Sequence, residues 1–92
     1  MASLREIKKD INYLVYEVVS DCYTFIYLNP GKKEDKALEI IHSITEFRNV
    51  IINKVNHPPK EKSEIKKYYQ SLYNELLETI DAAFQNLSKL TK

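Results

Sequence analysis

Apolar residues recur along this chain at alternating steps of three and four, in three blocks separated by two proline-containing breaks. In the first block Leu4, Ile7, Ile11, Leu14 and Val18 form one line, Cys22, Phe25 and Ile26 continue it, and Val15 and Val19 widen it. Such steps gather side chains on one stripe of a helix but scatter them over both faces of a strand. The valines lean slightly towards strand, yet the period decides for a helix over about 4–28. Its start reads Ser3-Leu4-Arg5-Glu6, a capping box in which the serine hydroxyl accepts from the third helical amide and the glutamate reaches back.

Asn29-Pro30-Gly31 ends this block, because the residue before a proline is biased away from the α conformation. Asn29 is also a candidate cap for the next helix, with Pro30 at its first position. That helix is expected over about 33–55, with the stripe Ala37, Ile40, Ile41, Ile44, Phe47, Ile51 and Val55 and with Ile52 beside it. Glu34 and Asp35 fall where the positive end of the helix dipole favours anions. After His57-Pro58-Pro59, a third helix over about 60–90 carries Ile65, Tyr69, Leu72, Leu76, Ile80, Ala83, Leu87 and Leu90, with Leu77 and Phe84 extending one flank.

Two short connections make sequential helices antiparallel neighbours. The expected fold is therefore all-α, an up-down-up antiparallel three-helix bundle with long helices, forming one domain over 1–92. At 1.5 Å per residue each helix reaches roughly 35–45 Å. A rod that slender has a thin core, so the bundle is expected to associate into a dimeric helical assembly.

Composition narrows the picture further. One glycine and three prolines are too few turn formers for a many-stranded β fold, and 43% hydrophobic residues are too many for a disordered linker. A domain of this size buries only about 60–65% of its unfolded surface, which again favours association. A single cysteine excludes an intrachain disulfide and points to a reducing cytoplasm. Asn12 and Glu17 interrupt the apolar stretch behind Lys8 and Lys9, so neither a signal peptide nor a membrane span is expected. Met1-Ala2 lacks the glycine that myristoylation needs.

The seven tyrosines are the unusual feature. Tyr13, Tyr16, Tyr23 and Tyr27 all lie in the first helix. At about 100° per residue, Tyr16, Tyr23 and Tyr27 fall nearly opposite the core stripe centred on Leu4 and Ile11. They share one line, so this helix is aliphatic in front and aromatic behind. A bundle gives a helix one buried side, and a second aromatic stripe calls for a second partner. Tyrosine suits an interface, since its ring buries area while its hydroxyl stays wetted or bonded. Tyr16, Tyr23 and Tyr27 are therefore the candidate interface, most economically of a homodimer, with a further protein partner also open. The plain alternative is a set of surface rings lying flat. Tyr68, Tyr69 and Tyr73 read as core edge.

Charge supplies a rival. Net charge is only +1, so no global basic excess advertises nucleic acid. The topology nonetheless collects Arg5, Lys8, Lys9, Lys54, Lys60, Lys62, Lys66 and Lys67 at one end, against Glu6, Asp10, Glu61 and Glu64. Lys62, Lys66 and Lys67, next to Tyr68 and Tyr69, are the candidate anion- or nucleic-acid-binding residues of a nucleic-acid or ribosome-associated module. The ordinary alternative is a solvated lysine surface. Arg48 falls on the apolar face of the second helix, where it either snorkels to the rim or meets Asp21.

Motifs of catalysis are sparse. Glu39-Ile40-Ile41-His42 matches the Glu-x-x-His of di-iron bundles, but only once and on the polar side of its helix, so a surface glutamate–histidine pair is expected and no metal. His57 reads as a loop or capping residue, and Cys22, on the core line, as a small hydrophobe. There is no phosphate-binding loop, dinucleotide fingerprint, zinc spacing or serine elbow. The expectation is a non-enzymatic protein without a cofactor.

Overall fold

The apolar blocks become three helices, α1 (Leu4–Leu28), α2 (Glu34–Asn56) and α3 (Lys62–Leu90), in a computed structural model that describes residues 4–91. Ser3 of the expected capping box lies outside the described residues. The helices run up, down and up. Arg48 of α2 reaches Asn12 near the start of α1, Lys54 near the end of α2 reaches Glu75 of α3, and Tyr73 of α3 reaches Asp10 of α1. No strand occurs among the described residues.

Each helix buries one stripe. α1 contributes Ile7, Ile11, Val15, Val18, Cys22 and Phe25, α2 contributes Ala37, Ile44, Ile51 and Val55, and α3 contributes Leu72, Leu76, Ile80, Ala83 and Leu87. Among the described residues no polar or charged side chain is buried with them. Each fully buried Ile or Leu stabilises the fold by about 1.5–3 kcal/mol relative to exposure. α1 packs most closely on α2 and least on α3. Two leucines of the expected stripes are consequently not core. Leu77 is 55% exposed, because it sits on the flank of α3 that borders the loosely closed seam with α1. Leu4, the first residue of α1, is 46% exposed.

The molecule measures 51 × 19 × 18 Å, with a radius of gyration of 15.2 Å. A compact chain of this length has about 12 Å. Its accessible surface is 6637 Å², against about 5500 Å² for a compact monomer of this mass. The rod shape therefore leaves more surface in water than a sphere-like packing of the same chain.

The two turns use different chemistry. Asn29 closes α1: its backbone amide and its side-chain amide both donate to the Phe25 carbonyl, each at 3.0 Å. It does not cap α2, and Pro30 does not open it. The turn instead continues through Gly31 (φ 76°) to Lys33 (φ 53°), whose carbonyl accepts from the Lys36 and Ala37 amides at 3.1 Å. Left-handed backbone is ordinary for glycine but costs a lysine roughly 1–2 kcal/mol. Lys33 Nζ also donates to the Leu90 carbonyl at 3.4 Å, which draws the turn towards the end of α3.

At the opposite end, α2 presents carbonyls that have no partner further along the helix. The His57 ring stands 2.8 Å from the Asn53 carbonyl, and the His57 amide donates to the Lys54 carbonyl at 3.2 Å. Tyr68 donates its hydroxyl to the Lys54 carbonyl at 2.8 Å, and Tyr69 donates to the Val55 carbonyl at 3.1 Å. The two rings meet edge to face, 5.7 Å between centroids. Adjacent tyrosines on α3 thus cap α2, and His57 is a capping residue. Pro58 and Pro59 delay α3, which starts at Lys62 after an extended Glu61 (φ −73°, ψ 119°) rather than at residue 60.

Two expectations follow for unfolding by urea. Leu76→Ala should destabilise by about 2–5 kcal/mol, while Leu77→Ala should stay within about 0.5 kcal/mol of the parent. Tyr69→Phe should cost about 0.5–1.5 kcal/mol, and Tyr68→Phe less, because the Lys54 carbonyl keeps the His57 amide.

Candidate functional site

The seven tyrosines divide by what their hydroxyls do. Tyr68 and Tyr69 cap α2 as described, Tyr73 donates to Asp10 at 2.8 Å, and Tyr13 is hydrogen-bonded to Glu17 one turn along α1. That contact with Glu17 raises the Tyr13 phenol, through the hydrogen bond first and the carboxylate charge second. Tyr16, Tyr23 and Tyr27 have no hydrogen-bond partner among the described residues. The three residues are 69%, 56% and 82% exposed.

These three are brought together. With Val19, Ser20 and Thr24 they line a shallow groove of about 380 Å³ on the outer surface of α1. The chain places them there by spacing alone: positions 16, 23 and 27 project from one side of the helix, away from the buried stripe through Ile11, Val18 and Cys22. The floor is made of small side chains. Thr24 turns its hydroxyl back to the Ser20 carbonyl at 3.0 Å, which satisfies its donor within α1. Tall aromatic walls over a short floor make a surface that accepts a protruding side chain. An exposed tyrosine of this kind offers roughly 100–200 Å² of ring surface, about 400 Å² for the three. That lies within the roughly 300–600 Å² of the largest exposed apolar patch on an ordinary monomer.

The lysine candidates are placed differently. Lys62, Lys66 and Lys67 are exposed on the first turns of α3. Lys54, from the same end, is held by Glu75 at 3.3 Å. The neighbouring rings of Tyr68 and Tyr69 are half-buried, with their hydroxyls committed to α2. Burial, ahead of the effect of Tyr68, raises the Tyr69 phenol.

Other singled-out residues find unexpected partners. Arg48 is half-buried at the rim, donating from Nε to Asn12 Oδ1 at 2.7 Å and from Nη1 to Asn49 Oδ1 at 3.0 Å. Asp21 is not its partner: it lies nine residues further along α1 than Asn12, roughly 13 Å away along the axis. His42 pairs forward with Glu46, Nε2 to Oε1 at 3.0 Å, rather than back with Glu39. Among the described residues no three His, Cys, Asp or Glu side chains cluster to hold a metal. Cys22 is buried, and loss of solvation, then the charge of Asp21, raises its thiol pKa, which disfavours the thiolate that a nucleophile needs.

Sequence reasoning missed a second groove, of about 450 Å³, between α2 and α3. Ile40, Ile44, Ala83 and Leu90 contribute apolar surface to it, and Lys36 and Lys89 approach it from the two helices. Its signal in the chain was faint: Ser43, Ala82 and Ala83 are too short to fill the space where the helices face each other.

Tyr73 yields a pH test. Burial, then the hydrogen bond to Asp10, then the charges of Asp10 and Glu6 push its phenol up to about 12. Between about 10 and about 12 the folded state keeps this proton and the unfolded state loses it, so the contribution is full below pH 10 and falls as pH rises through that window. Urea unfolding at pH 9 and pH 11 should show Tyr73→Phe losing less stability over that interval than the parent does.

No protein family matches this chain, and no curated protein or solved structure shows significant similarity to it.

Proposed function

We propose that this protein acts by self-association, most economically as a homodimer, through the aromatic outer face of α1. The observation that carries the reading is the division of the tyrosines. Where a tyrosine borders the bundle's own seams, its hydroxyl is bonded, and where it lines the outer groove, at Tyr16, Tyr23 and Tyr27, it has no partner among the described residues. A phenol is an amphipathic group whose ring gains by burial and whose hydroxyl can stay bonded at a rim. Three of them aligned over a short-floored groove suit a helix from a second chain. The surplus surface of the rod supports the same reading, since pairing removes part of it from water.

Magnitudes indicate a reversible contact. Two such patches facing each other bury roughly 800 Å² of ring surface, short of the about 1,200 Å² at which specific interfaces begin, so flanking side chains of α1 have to supply the rest. The expected dimer is therefore a weak one, with the monomer released on dilution.

Sedimentation equilibrium at about 100 µM should report twice the 10.8 kDa chain mass, shifting towards the monomer on dilution. Changing both Tyr16 and Tyr23 to Glu should leave a monomer with undiminished helical circular dichroism, because neither side chain contributes to the core. A parent chain that remains monomeric at that concentration would overturn the proposal.

A further inference from the structure

We infer that the groove between α2 and α3 binds a free medium-chain acyl carboxylate, its tail along the apolar lining and its head group among Lys33, Lys36 and Lys89. The volume of the groove, about 450 Å³, falls within the roughly 300–1,000 Å³ of small-molecule sites. Ile40, Ile44, Ala83 and Leu90 supply its apolar surface, and Ser43 and Ala82 keep its floor low. The lining runs from Lys36 to Ile44 on α2 and from Thr79 to Leu90 on α3, about 12 Å and about 16 Å of helix axis. An extended acyl chain of about eight to ten carbons, at about 1.3 Å per carbon, covers the shorter of these lengths with its head group. Further along the same side of the seam, Lys54 of α2 and Glu75 of α3 bridge the two helices at 3.3 Å. The open stretch is therefore about two to three turns long, which suits an acyl chain better than a helix of about three to four turns from another protein.

Charge selects the head group. α2 begins and α3 ends at the same end of the groove, and three ammonium groups meet there. Lys36 and Lys89 line it, and Lys33 donates to the carbonyl of Leu90, itself a lining residue, at 3.4 Å. Neither Lys36 nor Lys89 has an ion pair or a hydrogen bond among the described residues. Glu34 and Asp35 stand about 100° or more round α2 from Lys36 and do not line the groove. Glu39, one turn further in, is the one carboxylate among the lining residues. Three cations against one anion leave this end positive, and apolar walls concentrate that field on a carboxylate.

Titration of the isotope-labelled full chain with decanoate, kept below its micelle concentration and followed by amide NMR, tests the site. Saturable shifts centred on residues 36–44 and 79–90 are the expected result. Decyltrimethylammonium, which keeps the tail and reverses the head charge, should bind about tenfold or more weakly. Changing both Lys36 and Lys89 to Gln should raise the decanoate dissociation constant about fivefold or more, and Glu39→Gln should lower it about threefold. Ala82→Leu, at an exposed position, should raise it about tenfold or more with circular dichroism unchanged, because the new side chain fills the floor. No saturable shift with decanoate would overturn the inference, and so would equal binding of the two detergent-like probes, which would mean apolar uptake without charge selection. Shifts at Ser43 and Ala82 that depend on protein concentration in the ligand-free chain would give the groove to a second copy and overturn it as well. The groove lies between α2 and α3, so each of these outcomes is separate from self-association through the outer face of α1.

Discussion

A helix in this rod has neighbours along one side only, so what each one buries is a single narrow line of hydrocarbon. The seam through Ile11, Val18, Ile44, Ile51 and Leu76 is wholly apolar among the described residues. Three helices of roughly 35–45 Å share it, and no second layer lies behind it. Everything peripheral follows from that constraint. Flanks that a thicker fold would cover stay open, as Leu77 does on the α1–α3 side and as the α2–α3 groove does between short residues. The aromatic outer face of α1 belongs to the same class of uncovered surface, with the difference that its pattern is ordered.

A purely aliphatic interior resists water but discriminates poorly between one helix register and the next, because Ile, Leu and Val are interchangeable at similar volume. The discriminating contacts lie at the edges of the seam. Arg48 with Asn12 aligns α2 on α1, Tyr73 with Asp10 aligns α3 on α1, and the Tyr68 and Tyr69 hydroxyls align α3 on the last carbonyls of α2. Lys54 is gripped twice, at its carbonyl by Tyr68 and at its ammonium by Glu75. Each bond is worth about 0.5–1.5 kcal/mol net, small beside the core, yet a slip of one residue would break them together.

Element type and order were legible because long periodic stripes override weak local preferences. The span 4–28 read from spacing coincides with Leu4–Leu28. What the chain did not disclose depended on relations between helices. Tyr68 and Tyr69 read as core edge, and nothing local revealed that their hydroxyls reach carbonyls fourteen residues back. Arg48 reads as a rim arginine and is one, but the angle around the helix offered Asp21 as its alternative partner, whereas height along the helix sets Asn12. Leu77 was misplaced because periodicity gives the width of an apolar stripe but not which edge a neighbour covers. The outer row of Tyr16, Tyr23 and Tyr27 was visible from spacing. The depth of its groove was not, since that depends on the back-bonded Thr24 and the short Ser20.

The confinement of polar anchoring to the rim has a consequence for how such a chain changes over descent. Inside, hydrocarbon can be exchanged for hydrocarbon of like bulk, and the aliphatic letters are free to drift until little textual likeness survives. The rim pairs have less latitude: a carboxylate opposite a phenol at 10 and 73, and an amide opposite a guanidinium at 12 and 48, keep their bond only if the two positions change together. Kinship for this architecture would therefore be written in a few widely separated, jointly changing letters rather than in any continuous stretch.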